Sequence, residues 1–306
     1  MAASSVERNL RKFLSVVRWM LAYVPLPIMR WMQTAGAVRL PADIKRERVM
    51  ADGVPCEWLI PDQSSSDQVL LYLHGGGFVY GWTNMHREMV SHLARQMQIR
   101  VLVVDYRLAP EHPFPAALDD CTAVYRWLLQ QGVAPQNIVM AGDSAGGNLT
   151  LTTLIKLRDS GSPLPAAAAC LSPATDLTVR QEMDRLRDPV LHRRALYAFQ
   201  AAYVANHNTD DPLLSPVYAD LRGLPPLLIH AGEDEVLRDD AIRIAELAQQ
   251  AGVPVRVEVY PRMWHVWHLY FSILPQAAHA LDDIGQFLKS KVGVREQQSS
   301  KAPLRV

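Results

Sequence analysis

A chain of 306 residues, 49% of them hydrophobic, is long enough for one large α/β domain or two small ones, and nothing in its middle resembles a linker. Thirty-one Lys and Arg balance thirty-one Asp and Glu, so the whole-chain charge makes no case for nucleic acid or an anionic membrane surface and points to small, uncharged partners. The widely spaced Cys56, Cys121 and Cys170 lie in apolar stretches and read as reduced core thiols of a cytoplasmic protein, not as disulfides or metal ligands.

No apolar run reaches the ~18 residues of a membrane-spanning helix. The apolar stretch after Arg11-Lys12 is interrupted by Arg18 and lacks a small-residue cleavage site, so it reads as mature structure, not a signal peptide. Leu10, Phe13, Leu14, Val17, Leu21 and Val24 recur at helical spacing with Glu7, Arg8, Arg11, Lys12 and Arg18 between them. That spacing predicts an amphipathic helix, ended by Pro25 and Pro27 and followed by Ile28, Trp31 and Met32. Its apolar face is expected over the mouth of a functional site; packing on the outside of the domain and lying on a membrane surface are the alternatives. Residues 1–45 thus form a helical cap segment.

From residue 46 strands and helices alternate. Val54–Ile60, Gln68–Leu73, Arg100–Val104, Ile138–Ala141, Ala166–Leu171, Leu227–His230 and Val255–Tyr260 read as strands. The polar stretch 61–67 connects the first two. Helices are marked by the stripe Ala117, Cys121, Val124 and Leu128, by Leu149–Arg158, and by Ala241, Ile244, Ala245 and Ala248 closed by Gly252. Such alternation predicts an α/β fold, a mostly parallel twisted sheet with helices on both faces, over residues 46–295. Residues 186–210 break the rhythm: Asp188-Pro189 reads as a helix start and Leu196, Phe199 and Tyr203 as the stripe of an inserted lid at about 180–210. The polar tail 296–306 is expected to fray.

Two glycine motifs stand at strand ends. Gly142-Asp143-Ser144-Ala145-Gly146 follows one apolar run and precedes a helix, which reads as a strand–turn–helix elbow with Ser144 at its tip. His74-Gly75-Gly76-Gly77-Phe78 follows another. The amides of Gly76, Gly77 and Ala145 would together make a three-donor hole for a negative oxygen. A serine nucleophile needs a base held by an acid, and in folds of this type both follow it in the chain. The last strand runs into His265 and His268. His265 is nearer the strand end and is the expected base, with His268 a packing or surface residue; a zinc site at the pair lacks a third ligand nearby. The acid is expected in Gly232–Asp240, where Asp239 or Asp240 would cap the next helix and spacing leaves Asp234 and Glu235 both open. Asp143 and His74 are expected to support the elbow and the glycine loop.

Residues 74–78, Asp105–Ala117 (Asp-Tyr-Arg-Leu-Ala-Pro-Glu-His-Pro-Phe-Pro-Ala-Ala), Gly142–Gly147 and Asp211-Pro-Leu-Leu-Ser-Pro216 together resemble the bacterial hormone-sensitive-lipase family of α/β-hydrolase esterases, over roughly residues 50–290. The resemblance implies the α/β-hydrolase fold with a helical cap, and a serine carboxylesterase acting on short- to medium-chain acyl esters through an acyl-enzyme, without cofactor or metal. It implies homodimers as well. In many members the acid opens an Asp-Pro-Leu-x-Asp segment, which aligns with Glu235–Asp239 here and so favours Glu235, with Asp234 as runner-up. Phe78, Tyr197 or Trp267 would suit the pocket wall. An amidase, lactonase or carbamate hydrolase would use the same residues, and a ligand-binding protein on this fold would usually lack the base or the nucleophile.

Overall fold

The computed structural model describes residues 4–34, 40–178 and 188–293. The expectations for the start of the insertion, 180–187, and for the tail 296–306 lie outside these. The amphipathic stripe becomes α1 (Ser5–Tyr23), capped by Ser4, whose side chain accepts from the Glu7 amide at 3.0 Å. Pro25 and Pro27 do not end helical structure altogether: the chain turns and restarts as α2 (Leu26–Thr34), because a proline in a first helical turn forfeits no intrahelical bond.

Eight strands follow among the described residues: β1 (Ile44–Ala51), β2 (Val54–Pro61), β3 (Ser65–Leu73), β4 (Ile99–Val104), β5 (Ile138–Asp143), β6 (Ala167–Leu171), β7 (Leu227–Gly232) and β8 (Val255–Tyr260). They form one sheet in the order β1-β2-β4-β3-β5-β6-β7-β8. Only β1–β2 and β2–β4 pair antiparallel; from β4 onward the pairing is parallel. The helices α3 (Asn84–Met97), α4 (Ala116–Gln130), α5 (Ala145–Asp159), α6 (Arg193–Val204), α7 (Arg238–Gln250) and α8 (Pro275–Lys291) complete the chain order. This is the α/β-hydrolase fold.

Side-chain alternation explains the layers. On β3, Val69, Leu71 and Leu73 join the core under α4, α5 and α7, whereas Leu70 and Tyr72 join the one under α3 and α8. A third cluster packs Leu10 and Leu14 of α1 on Met263, Trp264 and Trp267, in the loop after β8. Among the described residues no helix is long and apolar enough to cross a membrane.

Several local expectations need correction. Asp188-Pro189 does not start a helix. The Asp188 carboxylate is taken by the amides of Val190, Leu191 and Val236, and α6 begins only at Arg193, capped by His192. Asp239 and Asp240 are not caps either; the cap position of α7 is Leu237 and both carboxylates lie in the first turn, where they still complement the helix dipole. Part of the expected 61–67 connection is strand, since β3 starts at Ser65 and shifts register before Val69. The strand β1 and the helices α3 and α8 carry no motif, and β1, at the sheet edge, has a run of four charged side chains, Lys45–Arg48, instead of the apolar run of a core strand.

Candidate active site

The elbow is built by close packing. Ser144 follows β5 directly, with φ 53° and ψ −116°, a strained pair of angles for a side-chain-bearing residue. The turn is held from both sides: the Ser144 amide donates to Leu171 O at 2.8 Å and its carbonyl accepts from the Ala174 amide at 3.2 Å. A Cβ at Gly146 would lie 1.9 Å from the Leu73 carbonyl oxygen, so α5 can approach β3 this closely only without a side chain there. Asn148, one turn into α5, donates to Ala174 O and Leu214 O at 2.7 and 2.8 Å. The Asp211–Pro216 motif is thereby tied to the elbow's helix.

His265 stands in the loop after β8, and Ser144 Oγ donates to its Nε2 at 2.8 Å. Its Nδ1 faces Glu235 Oε2 at 3.7 Å, an ion-pair distance longer than a hydrogen bond. Glu235 is fully buried, and its Oε2 accepts from the Ser172 hydroxyl at 2.6 Å. Ser172 Oγ in turn accepts from the Val266 amide at 3.1 Å, so one hydroxyl at the end of β6 links the Glu235 and His265 loops. Sequence reasoning passed over Ser172; its sole signal is its place at the carboxyl end of the strand beside β5. Asp234 points elsewhere. Its Oδ2 accepts from Arg11 of α1 at 2.6 Å, which leaves Glu235 as the carboxylate facing the imidazole.

Burial by itself would lower the His265 pKa, but the Glu235 carboxylate outweighs it, with Asp188 and Asp143 adding to the pull, and the net shift is upward from 6.5. Burial also raises Glu235, against the opposing pull of His265 and Ser172. His268 lies apart. It is buried, its Nε2 meets His230 Nδ1 at 3.4 Å, and burial with two histidine neighbours drives its pKa well below 6.5. Among the described residues no group of three or more His, Cys, Asp or Glu side chains is placed to hold a metal ion.

The supporting residues form a buried polar frame. Asp143 Oδ1 accepts from the Tyr72 hydroxyl at 2.8 Å and the Gly75 amide at 2.9 Å. Its Oδ2 meets His86 Nε2 at 3.2 Å, and because His86 Nδ1 accepts from the Thr83 amide, Nε2 is the donor. Burial would raise the Asp143 pKa, yet these donors hold it below the ordinary carboxylate value. Elbow and glycine loop are thus joined through one carboxylate. His74 Nδ1 donates to Gly75 O at 2.7 Å, and its ring stacks on Tyr106 with centroids 4.3 Å apart. Burial pulls its pKa down to about 4, so it is neutral.

Gly76, Gly77, Ala145, Ser144 and His265 all line one largely apolar cavity of about 240 Å³. Gly77 has φ +60°, and a Cβ there would meet the Phe199 ring of α6 at 2.6 Å. Val17 and Leu21 of α1 and Gln33 of α2 contribute wall on another side. Of the three aromatics expected in the wall, Phe78 is there. Tyr197 instead faces solvent beside Arg193, and Trp267 is buried under α1, so neither lines it.

The sequence profile of the alpha/beta hydrolase fold family matches residues 70–269. An acetyl-hydrolase of Streptomyces hygroscopicus is 43% identical over 240 residues, 78% of this chain and 80% of that protein. The chain belongs to the bacterial hormone-sensitive-lipase family of α/β hydrolases. The carboxylesterase/phospholipase LipF of Mycobacterium tuberculosis is 35% identical over 90% of this chain and 76% of its own. A solved esterase of the bacterial hormone-sensitive-lipase family superposes with a TM-score of 0.87 at 42% identity, covering 96% of this chain and all of that one.

Proposed function

We propose that this member of the family is a serine carboxylesterase in which Ser144 is the nucleophile, His265 the general base and then acid, and Glu235 the group that orients and stabilises the imidazolium. The carrying observation is the 2.8 Å contact from Ser144 Oγ to His265 Nε2 on the wall of an apolar cavity. In the first half-reaction Ser144 Oγ attacks the ester carbonyl while His265 Nε2 takes the hydroxyl proton, which it then delivers to the departing alkoxide. Water adds to the acyl-enzyme by the same route and the acid leaves. The developing oxyanion is assigned to the amides of Gly76, Gly77 and Ala145, the last at the N-terminus of α5, where the helix dipole favours negative charge.

The cavity volume suits short- to medium-chain acyl groups, and the names of the relatives, an acetyl-hydrolase and a carboxylesterase/phospholipase, are in keeping with ester cleavage. α1, α2 and α6 are read as the cap over the cavity. The three free, buried thiols favour a cytoplasmic setting, and a homodimer rests on the family resemblance, with size-exclusion chromatography coupled to light scattering as its check. Steady-state hydrolysis of p-nitrophenyl esters from acetate to palmitate, with Ser144→Ala alongside, tests the whole reading. Activity that peaks at short chains and vanishes in the variant is expected; a folded protein inert on every ester would sink it.

A further inference from the structure

Neutral overall charge conceals a local asymmetry. Residues 1–34 carry Arg8, Arg11, Lys12, Arg18 and Arg30 against the single carboxylate Glu7, which is buried beneath Arg11 and Arg262; Arg11 also pairs with Asp234 and Arg30 with Glu111, so the exposed cations of the segment are Arg8 and Lys12. The same segment holds eight of the fourteen large hydrophobic side chains that stand exposed among the described residues. Such residues scattered singly need no explanation, but their concentration on two adjacent helices does.

Helical spacing sorts α1 into two apolar faces. Leu10, Leu14, Val17 and Leu21 point inward, the first two into the core and the last two onto the cavity wall. Phe13, Val16, Trp19 and Tyr23 form an outward stripe at i, i+3, i+6 and i+10, each 50–58% exposed. Trp31 of α2 is 72% exposed and Met32 42%. The rings of Trp19 and Tyr23 lie 5.8 Å apart. Exposed cations bound the stripe at both ends, Arg8 and Lys12 at one and Arg194 of α6, 5.1 Å over the Tyr23 ring, at the other. Tryptophan and tyrosine settle at the boundary between hydrocarbon and water, and neighbouring cations add attraction to anionic headgroups. A second copy suits this face poorly, since pairing the stripe with itself in either direction sets cations against cations.

We propose that the outer face of α1 and α2 docks on a lipid–water interface bearing anionic headgroups, which brings the cavity mouth that the same helices help to line up to a supply of apolar ester. The supply role rests on the esterase reading of the cavity; the docking does not. The test is co-sedimentation of the full chain carrying Ser144→Ala with vesicles of phosphatidylcholine alone and of phosphatidylcholine with phosphatidylglycerol. Binding is expected to the anionic vesicles, weaker to the neutral ones and reduced by salt. Phe13→Ser with Trp19→Ser should weaken it at least about tenfold. With Ser144 intact, that pair should leave hydrolysis of water-soluble p-nitrophenyl acetate unchanged, which also certifies its fold. Lys12→Glu with Trp31→Ser provides a second variant with the same expected loss. No binding to either vesicle, undiminished binding by both paired variants, or a dimer that the paired variants dissociate would each overturn the proposal. Vesicle binding by a protein inert on every ester would leave the docking standing and sink the esterase reading; turnover without vesicle binding would do the reverse.

Discussion

At the scale of single residues the site divides into groups proposed to move protons and groups that hold them. Ser144→Ala should keep the fold and lower kcat by about 10⁴-fold or more, leaving the residual rate that binding and an oxyanion hole supply without a nucleophile. Glu235 and Asp234 are neighbours in sequence but face opposite ways, one toward His265 and one toward Arg11. Glu235→Gln is therefore expected to cut turnover severely while Asp234→Asn leaves it within a few-fold; a kinetic comparison showing the opposite order would move the acid to Asp234. The raised pKa of His265 has a defined sign: the imidazole stays protonated, and unable to accept the Ser144 proton, to a higher pH than a free histidine. A pH profile of kcat/KM should thus show activity rising through an acidic limb above 6.5. Glu235→Gln should move that limb downward, because it removes the upward pull and leaves the effect of burial.

Secondary elements carry strain and reach that no single side chain explains. The elbow keeps Ser144 in a sparsely populated backbone conformation because β3, β5 and α5 pack without side chains between them. Gly146→Ala, whose Cβ would have to displace the Leu73 carbonyl, should destabilise by more than about 3 kcal/mol in thermal or denaturant unfolding. The loop after β8 depends on α1. Leu14 of that helix is fully buried in the cluster that holds Trp264 beside His265. Leu14→Ala should cost about 2–5 kcal/mol, and circular dichroism melts read against kinetics at moderate temperature would separate loss of stability from loss of rate. Asp188 ties the turn ahead of α6 to the residue after Glu235, a link that the reading of Asp188-Pro189 as a plain helix start did not contain.

For the molecule as a whole, the helical segment adds contacts around the sheet core instead of forming its centre: Leu10 and Leu14 of α1 pack on the loop after β8 and on α8, and Met20, Leu21 and Val24 rest against the main core from outside. Removing residues 1–40 should impair ester hydrolysis more than it unfolds the sheet, and a soluble truncation with unchanged rate and substrate range would sink the reading of α1 and α2 as cap. The strand and helix alternation, the glycine-flanked Ser144 and the triple-glycine loop were legible in the sequence because each is local: a periodicity of two or 3.6, or a steric demand met within five residues. The parallel sheet follows from that alternation and the family from four motifs in order. Tertiary structure decided what depends on separations of tens to hundreds of residues. It turned Glu235 inward to His265 and Asp234 outward to Arg11, brought Ser172 and His86 to the acidic groups, buried Trp267 away from the cavity and exposed the outer stripe of α1. A carboxylate's partner and a helix's second face are set by what the rest of the chain packs against them, and spacing along one segment carries no record of that packing.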